Sequence, residues 1–332
     1  MQERLKDISI TQSITIILVV LAHSFPFDHD MPGTPGFLNY LNDLFNPLRM
    51  PYFVFLSGFL FYLTNQDRNI EYLSFVKKKI IKLIVPYIAI TTFAFFPKAF
   101  LSSLADRKET LSFHSYWDGI VYPDQNPIII FWFLPTLFLI LLLAPYLKVI
   151  IKKDKLSLNI LLLLFITVIG FIFPKEILIL NISGAILYLK YFFLGCLFFK
   201  YSSSINKYFL RKDVFIIFYF IVLAIFPLLH VLSRYSVTYL LFSIVAILLM
   251  SSIGRYGRIK NSKYLNSYAK YTYQVYLLHW FFCVPIRIFY KLALLSYFDA
   301  YILMFTAGTI LPIFGAKIID KYLPRMKPLI GM

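Results

Sequence analysis

Runs of about 20 apolar residues, separated by short stretches rich in lysine, dominate this chain of 332 residues. Hydrophobic residues make up 60% of the sequence and charged residues only 15%, whereas a soluble domain carries about 25% charged residues. A helix of about 20 residues crosses the hydrocarbon core of a bilayer, which is the length of these runs. The pattern predicts an all-α, polytopic membrane protein. It excludes a disordered chain, a soluble nucleic-acid-binding protein and a disulfide-stapled secreted domain.

The apolar runs predict about ten spanning helices. Their expected boundaries are 8–26, 46–64, 81–103, 128–147, 157–174, 181–199, 213–231, 236–254, 271–290 and 294–316. The sequence shows no internal repeat and no stretch long enough for a separate soluble domain, so residues 1–332 are predicted to form a single membrane domain. Asp28, His29 and Asp30 fall in a proline-rich loop and are interpreted as solvated, and no metal site is predicted.

The distribution of lysine and arginine predicts the orientation of these helices. If the N-terminus is cytoplasmic, most of the 33 basic residues fall in segments on the cytoplasmic side. The net charge of +17 therefore reflects membrane topology rather than nucleic-acid binding. We expect both termini in the cytoplasm, and a multi-pass protein of the inner, cytoplasmic membrane in contact with its lipids.

Four ionisable residues, His23, Arg49, His279 and Arg287, lie within or at the edges of the predicted spans. An ionisable side chain in the bilayer costs about 2.5–3.5 kcal/mol on insertion scales, so each one is a functional candidate. His23 ends the first apolar run, and a short loop is expected to return Arg49 to the same depth. Imidazole serves as a general base and a guanidinium holds an oxyanion or a phosphate, which suits acyl or proton transfer. Hydrogen bonding to water, or snorkelling to headgroups, is the structural alternative.

Two further groups of residues are functional candidates. Lys78, Lys79 and Lys82 lie within about two helical turns, just before Pro86. Anchoring to anionic lipid is one interpretation of these lysines, and binding of a phosphate-bearing donor is the other. Ser57 and Gly58 form a small pair in a bulky run, which favours close helix packing or the close passage of a donor or substrate.

Several segments, together and in order, resemble the integral-membrane acyltransferase-3 family, which O-acylates sugars of cell-surface polysaccharides. Residues 16–25 are similar to the first helix of that family, which closes on a histidine. Residues 49–60 resemble its Pro-x-Phe-Phe-x-x-Ser-Gly-Phe-Leu stretch, and residues 78–86 resemble its Arg-Arg-x-x-Arg-Leu run before a proline. Residues 132–138 and 276–279 add support, so the resemblance spans residues 8 to about 290.

The resemblance implies transfer of an acetyl group from acetyl-CoA to a hydroxyl of an extracytoplasmic glycan or of its lipid-linked sugar precursor. His23 is then expected to deprotonate the hydroxyl or to carry the acyl group transiently, and both roles stay open. Arg49 is expected to stabilise the developing oxyanion, and His279 to position or relay a proton.

Donor binding follows from the same resemblance. Acetyl-CoA is expected as the co-substrate, without a metal, with its phosphates near Lys78, Lys79 and Lys82 at the cytoplasmic side. Ser57 and Gly58 are expected beside the donor. No nucleic-acid partner is expected.

The chain departs from the family at one place. The family usually carries an acidic residue and then an arginine or lysine early in its first helix, where this chain has Ser9 and Gln12. Three alternatives stay open: an exporter of polysaccharide or lipid-linked sugar, a purely structural membrane partner, and an acyltransferase that uses another acyl group such as succinyl. An exporter often shows inverted repeats, which this sequence lacks, and the intramembrane histidines disfavour a structural role.

Overall fold

The computed structural model describes residues 2–26, 36–102, 108–209, 213–229 and 233–332, and within these ranges all regular secondary structure is helical. The α-helices are α1 (Gln2–His23), α2 (Gly36–Phe45), α3 (Met50–Asn65), α4 (Tyr72–Lys79), α5 (Val85–Phe100), α6 (Phe113–Val121), α7 (Phe133–Lys152), α8 (Leu156–Ile172), α9 (Ile182–Lys200), α10 (Ser202–Phe209), α11 (Asp213–Ile225), α12 (Val237–Ile253), α13 (Gly257–Lys260), α14 (Lys263–Tyr268), α15 (Thr272–Lys291) and α16 (Tyr297–Tyr322). Short 3₁₀ turns and one π-helical turn, Ile80–Ile84, connect several of them.

The helices confirm the predicted fold class, an all-α polytopic membrane protein. Each of the ten predicted spans coincides with a helix. Six segments of the described chain are long and apolar enough to cross a membrane: Lys6–His23, Gly36–Asn65, Tyr72–Phe100, Ile129–Lys152, Ile179–Lys200 and Tyr297–Tyr322. Three shorter apolar helices are Leu156–Ile172, Phe215–Leu229 and Val237–Ile253. The orientation of the termini and the single domain stay predictions.

Two predicted boundaries were wrong. The loop expected before residue 46 contains α2 in its described part, and the second span therefore extends over Gly36–Asn65. The polar residues Asn39, Asn42 and Asp43 lower the hydropathy of α2, whereas Leu38 and Leu44 on the same helix are buried. Helix α4 begins the third span nine residues before the expected start at 81. Lys77, Lys78 and Lys79 in its last turn interrupt the apolar run from which the start was predicted.

The chain divides into two compact units by its internal contacts. The first unit comprises Met1–Arg68, Leu147–Phe171 and Leu187–Thr272. The second unit comprises Asn69–Tyr146, Ile172–Ile186 and Tyr273–Met332. Each unit contains some of the candidate functional residues.

The first unit is built around α1, α3, α9 and α12. Helix α1 packs against α3, α12 and α14, and α12 also packs against α11. Helices α3 and α9 approach so closely that a Cβ on Gly58 would stand 1.9 Å from the carbonyl oxygen of Phe192, and one on Gly195 would stand 2.0 Å from that of Phe55. Glycine at both positions allows this approach, the usual means of bringing membrane helices together.

Hydrogen bonds from buried side chains connect elements within the second unit. The hydroxyl of Tyr87 in α5 donates to the carbonyl of Ile120 at 2.8 Å. The amide of Asn126 donates to Thr91 Oγ1 at 2.9 Å, and its oxygen accepts from the backbone N–H of Ile128 at 2.8 Å. Such satisfied buried groups hold α5, α6 and the following turn in one arrangement.

Candidate active site

His23 is the last residue of α1, in the first unit, and its side chain is half-buried. The next residue, Ser24, is fully buried, and its hydroxyl donates to the carbonyl of Val20 at 2.7 Å, which holds the end of the helix. The C-terminal end of a helix favours a positive charge, so this position suits an imidazole that gains a proton. The structure thus gives His23 a partly accessible position at a helix end.

Arg49 lies at a break in the long segment Gly36–Asn65, between the 3₁₀ turn Asn46–Leu48 and α3. Its backbone angles, φ −90° and ψ −97°, are not helical. Nη1 donates to Asn42 Oδ1 at 2.9 Å and Nη2 donates to the Asn42 carbonyl at 2.8 Å. Asn42 therefore fixes the guanidinium while occupying two of its five N–H donors.

The half-buried guanidinium of Arg49 belongs to a polar cluster of the first unit. We call Arg49, Arg234, Asp43, Tyr188 and Tyr239 the arginine cluster, because the charges and hydroxyls of the other four act on Arg49 electrostatically. Both tyrosines are buried, and Tyr239 donates from its hydroxyl to Asn46 Oδ1 at 3.3 Å. Arg234 remains exposed and lies beside Tyr188 and Tyr239.

By sequence, Arg234 lies in the short loop between the predicted spans 213–231 and 236–254, where anchoring at the membrane interface is the simplest interpretation, as it is for His230. His230 lies outside the described residues. The partners of Arg234 come from α9 and α12, and nothing in the local sequence indicates that they meet.

His279 lies in α15, in the second unit, with no exposed surface. Its Nδ1 is 2.8 Å from the carbonyl oxygen of Val275 and 2.9 Å from that of Tyr276. Because carbonyl oxygens only accept, Nδ1 carries the proton and Nε2 is the acceptor nitrogen of a neutral imidazole. The neighbouring Tyr276 donates to the carbonyl of Ile130 at 2.7 Å and stacks on Phe131, so the helical turn that carries His279 is held firmly.

The lysines before Pro86 lie in the second unit, around an unusual helical turn. Lys78 and Lys82 are exposed, and Lys79 is half-buried with its Nζ 5.0 Å from the centre of the Phe75 ring. Residues Ile80–Ile84 form a π-helical turn, a rare feature that often marks functional sites. The exposed ammonium groups are accessible to a phosphate-bearing ligand.

The proline after this turn has a structural consequence. Pro86 has no N–H to donate to the carbonyl of Lys82, four residues earlier. That carbonyl accepts a hydrogen bond from the hydroxyl of Tyr273 at 2.6 Å instead. Tyr273 therefore ties the lysine-bearing turn to the start of α15.

Ser57 and Gly58, predicted beside the donor, lie in α3 of the first unit. The hydroxyl of Ser57 donates to the carbonyl of Phe53 within the same helix at 2.9 Å. The space beside Gly58 is filled by the backbone of Phe192, and the thiol of Cys196 donates to the Gly58 carbonyl at 3.2 Å. The structure gives Gly58 a role in helix packing, and contact of either residue with a donor stays a prediction.

At the other end of α1, Asp7 faces two cations. Its carboxylate lies 3.2 Å from Lys260 Nζ and 4.0 Å from Arg255 Nε, both beyond the end of α12. A cavity of about 30 Å³, large enough for a water molecule, is lined by Asp7, Arg255 and the side chains of Thr11 and Tyr52, among others. The chain thus supplies cations to this end of α1 from distant sequence, whereas Gln12 within the helix is uncharged.

Arg287 lies two turns after His279 in α15 and is half-buried. Asp28, His29 and Asp30 lie outside the described residues. Within the described ranges, no group of three or more His, Cys, Asp or Glu side chains is placed to hold a metal ion.

The candidate residues divide between the two units. His23, Arg49, Ser57 and Gly58 belong to the first unit. His279, Lys78, Lys79 and Lys82 belong to the second.

Comparison with known proteins gives one match. The model of the acyltransferase-3 family, described as an acyltransferase domain, matches residues 5–319. No curated protein and no solved structure matches the chain.

Proposed function

Because the chain belongs to the acyltransferase-3 family, we propose that it is a membrane O-acetyltransferase that uses acetyl-CoA. The acceptor is a hydroxyl of an extracytoplasmic glycan or of its lipid-linked sugar precursor. The enzyme is located in the cytoplasmic membrane. It takes its donor from the cytoplasmic side and its acceptor from the other side. Family membership shows the acyltransferase class. The acetyl group, acetyl-CoA and the glycan acceptor are proposed from what the family resemblance implies, and the roles of the individual residues rest also on their chemistry.

Arg49 is the observation that carries this proposal. Its guanidinium is half-buried and held by Asn42, which leaves three of its five N–H donors for another group. Fixed donors in a site of low dielectric stabilise an oxyanion more strongly than water does, because they need no reorganisation during the reaction. His23, in the same unit, supplies a nitrogen base.

The proposed reaction is a direct acyl transfer. The acceptor oxygen attacks the thioester carbonyl carbon and forms a C–O bond, while its proton passes to the imidazole of His23. The carbonyl oxygen becomes an oxyanion that accepts hydrogen bonds from Arg49. Collapse of this intermediate breaks the C–S bond, and the thiolate leaves with the proton as coenzyme A.

We assign His279 to the positioning or relay of a proton. Because His279 Nδ1 is hydrogen-bonded to carbonyl oxygens of its own helix, the imidazole is held in one tautomer with Nε2 as the acceptor. A fixed tautomer suits a group that must accept a proton at one defined atom.

Lys78, Lys79 and Lys82 are proposed to bind the phosphates of acetyl-CoA. Lysine binds phosphate as a point charge, and the two exposed ammonium groups of this set are free of the burial that would weaken such binding. The π-helical turn and the bond from Tyr273 hold these lysines on one helical segment.

The test uses purified protein with radiolabelled acetyl-CoA. Wild type is compared with His23→Ala and with a Lys78/Lys79/Lys82→Ala triple variant. We expect His23→Ala to lose about 10²–10⁴-fold in transfer rate, the usual contribution of a general base. We expect the triple variant to raise the KM for acetyl-CoA about tenfold with kcat little changed, because it loses charge-assisted contacts to phosphate.

A matched control tests whether the loss of positive charge alone raises the KM for acetyl-CoA. Lys152, Lys153 and Lys155 are also exposed and are predicted to face the cytoplasm. The triple variant Lys152/Lys153/Lys155→Ala removes the same charge and should leave the KM unchanged. Full transfer activity in His23→Ala would refute the assignment of the base, and an equal KM in both triple variants would refute the donor site.

A further inference from the structure

Residues 323–332, which we call the C-terminal segment, follow α16 and contain a 3₁₀ helix that packs against α5 and α16. Ile330 is buried, and its carbonyl accepts a hydrogen bond from the side-chain amide of Gln274 in α15 at 3.4 Å. Lys327 Nζ lies 2.6 Å from a carboxylate oxygen of Asp320 in α16. These contacts give the segment a defined position within the second unit.

Gly331 brings the backbone of this segment directly against the ring of Tyr273. Its φ of +67° lies in the left-handed region that glycine favours. A Cβ at this position would stand 2.0 Å from Cε1 of Tyr273, the ring atom next to the carbon that carries the hydroxyl. A larger residue would therefore have to displace the ring, so glycine at 331 allows both the backbone conformation and the contact.

The hydroxyl of Tyr273 connects this arrangement to the lysine-bearing turn. It donates to the carbonyl of Lys82 at 2.6 Å, a carbonyl to which Pro86 has no N–H to donate. A π-helical turn closes hydrogen bonds between residues five apart instead of four, so it changes the direction of Lys82 relative to Lys78 and Lys79. A bond that keeps this turn in one conformation keeps the three ammonium groups in one arrangement.

We infer that Tyr273 and Gly331 are positioning residues of the proposed donor site. The C-terminal segment holds the Tyr273 ring, and the Tyr273 hydroxyl holds the lysine-bearing turn in the form that binds the phosphates of coenzyme A. The inference rests on the proposed function, because it concerns the lysines that are assigned there to the donor. It makes the C-terminal segment a contributor to a site carried by the third span.

A purely structural role of the same contacts leads to a different expectation. If the segment only packed against its neighbours, substitutions in it would lower Tm and leave the affinity for coenzyme A unchanged. A positioning role changes the affinity, because ammonium groups that are not held in place must lose conformational freedom when they bind phosphate.

Tyr273→Phe is the central variant, because it keeps the ring against Gly331 and removes only the hydroxyl. Binding of coenzyme A, which carries no acetyl group to transfer, is measured by isothermal titration calorimetry with the full chain in detergent. We expect the Kd to rise about five- to tenfold, the effect of losing about one hydrogen bond. In steady-state kinetics the KM for acetyl-CoA should rise while kcat stays the same.

Tyr87→Phe is the matched control. Tyr87 lies in α5 just beyond the turn, and its hydroxyl donates to the carbonyl of Ile120 at 2.8 Å. The variant removes the same kind of bond from the same stretch of chain, so Tm should fall as in Tyr273→Phe while the Kd for coenzyme A stays at the wild-type value. An equal rise of the Kd in both variants, or an unchanged Kd in Tyr273→Phe, would overturn the inference.

Gly331→Ala tests the contribution of the C-terminal segment. The added methyl group displaces the Tyr273 ring, so we expect the Kd to rise at least as much as in Tyr273→Phe, with a lower Tm. If the segment acts through the hydroxyl, the double variant Tyr273→Phe/Gly331→Ala should have the Kd of Tyr273→Phe alone. Additive effects on the Kd, or a wild-type Kd in Gly331→Ala, would overturn the role of the segment.

Coenzyme A binding and acetyl transfer together separate this inference from the proposed function. Binding that depends on Tyr273, without any acetyl transfer by wild type, would support the positioning role and count against the proposed reaction. Transfer by wild type, with affinity lowered in the Lys78/Lys79/Lys82→Ala variant but not in Tyr273→Phe, would overturn the inference and leave the proposed function standing. No binding of coenzyme A by wild type would overturn both.

Discussion

Arg49 and His279 are both ionisable residues in apolar surroundings, but the structure accommodates them in different ways. His279 has no exposed surface, and its Nδ1 is satisfied within its own helix by Val275 and Tyr276. Arg49 lies at a helix break, and its partner Asn42 comes from the preceding helix. Its guanidinium stays half-buried and keeps donors for another group.

This difference indicates that the two residues have different chemical roles. A neutral, enclosed imidazole with one nitrogen already bonded can present a single acceptor atom in a fixed direction. A fixed guanidinium with remaining donors can stabilise negative charge that forms and disappears during a reaction. We therefore expect substitutions of Arg49 to affect the rate more strongly than substitutions of His279. Two different substitutions of His279 should distinguish its contribution to the transfer rate from its contribution to stability.

Between Arg49 and His279, the larger effect on rate is expected from Arg49→Ala. Loss of an oxyanion donor typically costs about 10²–10³-fold in kcat, because the transition state loses more than the ground state does. Arg49→Lys keeps the charge but not the planar fork, so we expect a smaller loss, of about tenfold. Steady-state kinetics with acetyl-CoA measures both variants.

The KM for acetyl-CoA is the control in this series. The donor phosphates are assigned to lysines of the second unit, so the KM should be the same in wild type and in both Arg49 variants. A raised KM with an unchanged kcat would contradict the role of Arg49 and point to ground-state binding of the donor.

A smaller effect on rate is expected from His279→Asn. The asparagine amide can still donate to the carbonyls that Nδ1 meets, whereas the acceptor nitrogen Nε2 is lost. We expect the rate to fall about 10²-fold, as for loss of a proton-transfer group, with little change in Tm. Thermal unfolding in detergent and labelled acetyl transfer measure the two quantities.

His279→Ala completes that comparison. It removes the same nitrogen and also leaves a cavity in a fully buried site, so Tm should fall as well. If His279→Asn kept the wild-type rate, His279 would be a packing residue and its proton role would be wrong.

The smallest effect on catalysis is expected from Gly58→Ala. A Cβ at this position would stand 1.9 Å from the carbonyl oxygen of Phe192, so α3 and α9 must move apart at a cost of about 1–3 kcal/mol in unfolding free energy. The Tm should fall while the KM for acetyl-CoA stays unchanged, because the glycine serves packing.

Gly315→Ala is the matched control in another helix. A Cβ there meets its nearest atoms at 3.9 and 4.0 Å, an ordinary contact. Alanine also favours the helix over glycine, so the Tm should stay the same or rise. A raised KM in Gly58→Ala without any loss of stability would instead support the predicted contact with the donor.

Hydropathy was sufficient to locate a helix at each of the ten predicted spans. Each spanning helix must be apolar over a length set by the bilayer, so the signal is local and strong. It failed at α2, whose polar Asn39, Asn42 and Asp43 share a helix with buried leucines. It also gave no sign of the π-helical turn Ile80–Ile84, which lies just before Pro86 and accepts a hydrogen bond from the distant Tyr273.

Residues of the candidate site were predicted only where the residue type alone is unusual in its apolar surroundings. His23, Arg49 and His279 stand out because a charge or an imidazole within an apolar run is costly. Asn42 is ordinary in its local sequence, and its role arises from its hydrogen bond to Arg49, which lies outside its helix. For Gly58 the sequence favoured close helix packing and also predicted a position beside the donor, and the approach of Phe192 confirms the packing.

The most direct test is the detection of the product itself. Purified wild type and Arg49→Ala are incubated with acetyl-CoA and a panel of methyl glycosides, and each sugar is analysed by mass spectrometry for an acetyl ester. We predict that wild type forms the ester together with free coenzyme A, and that Arg49→Ala forms almost none. Ester formation at equal rates by both proteins, or none by wild type, would contradict the account.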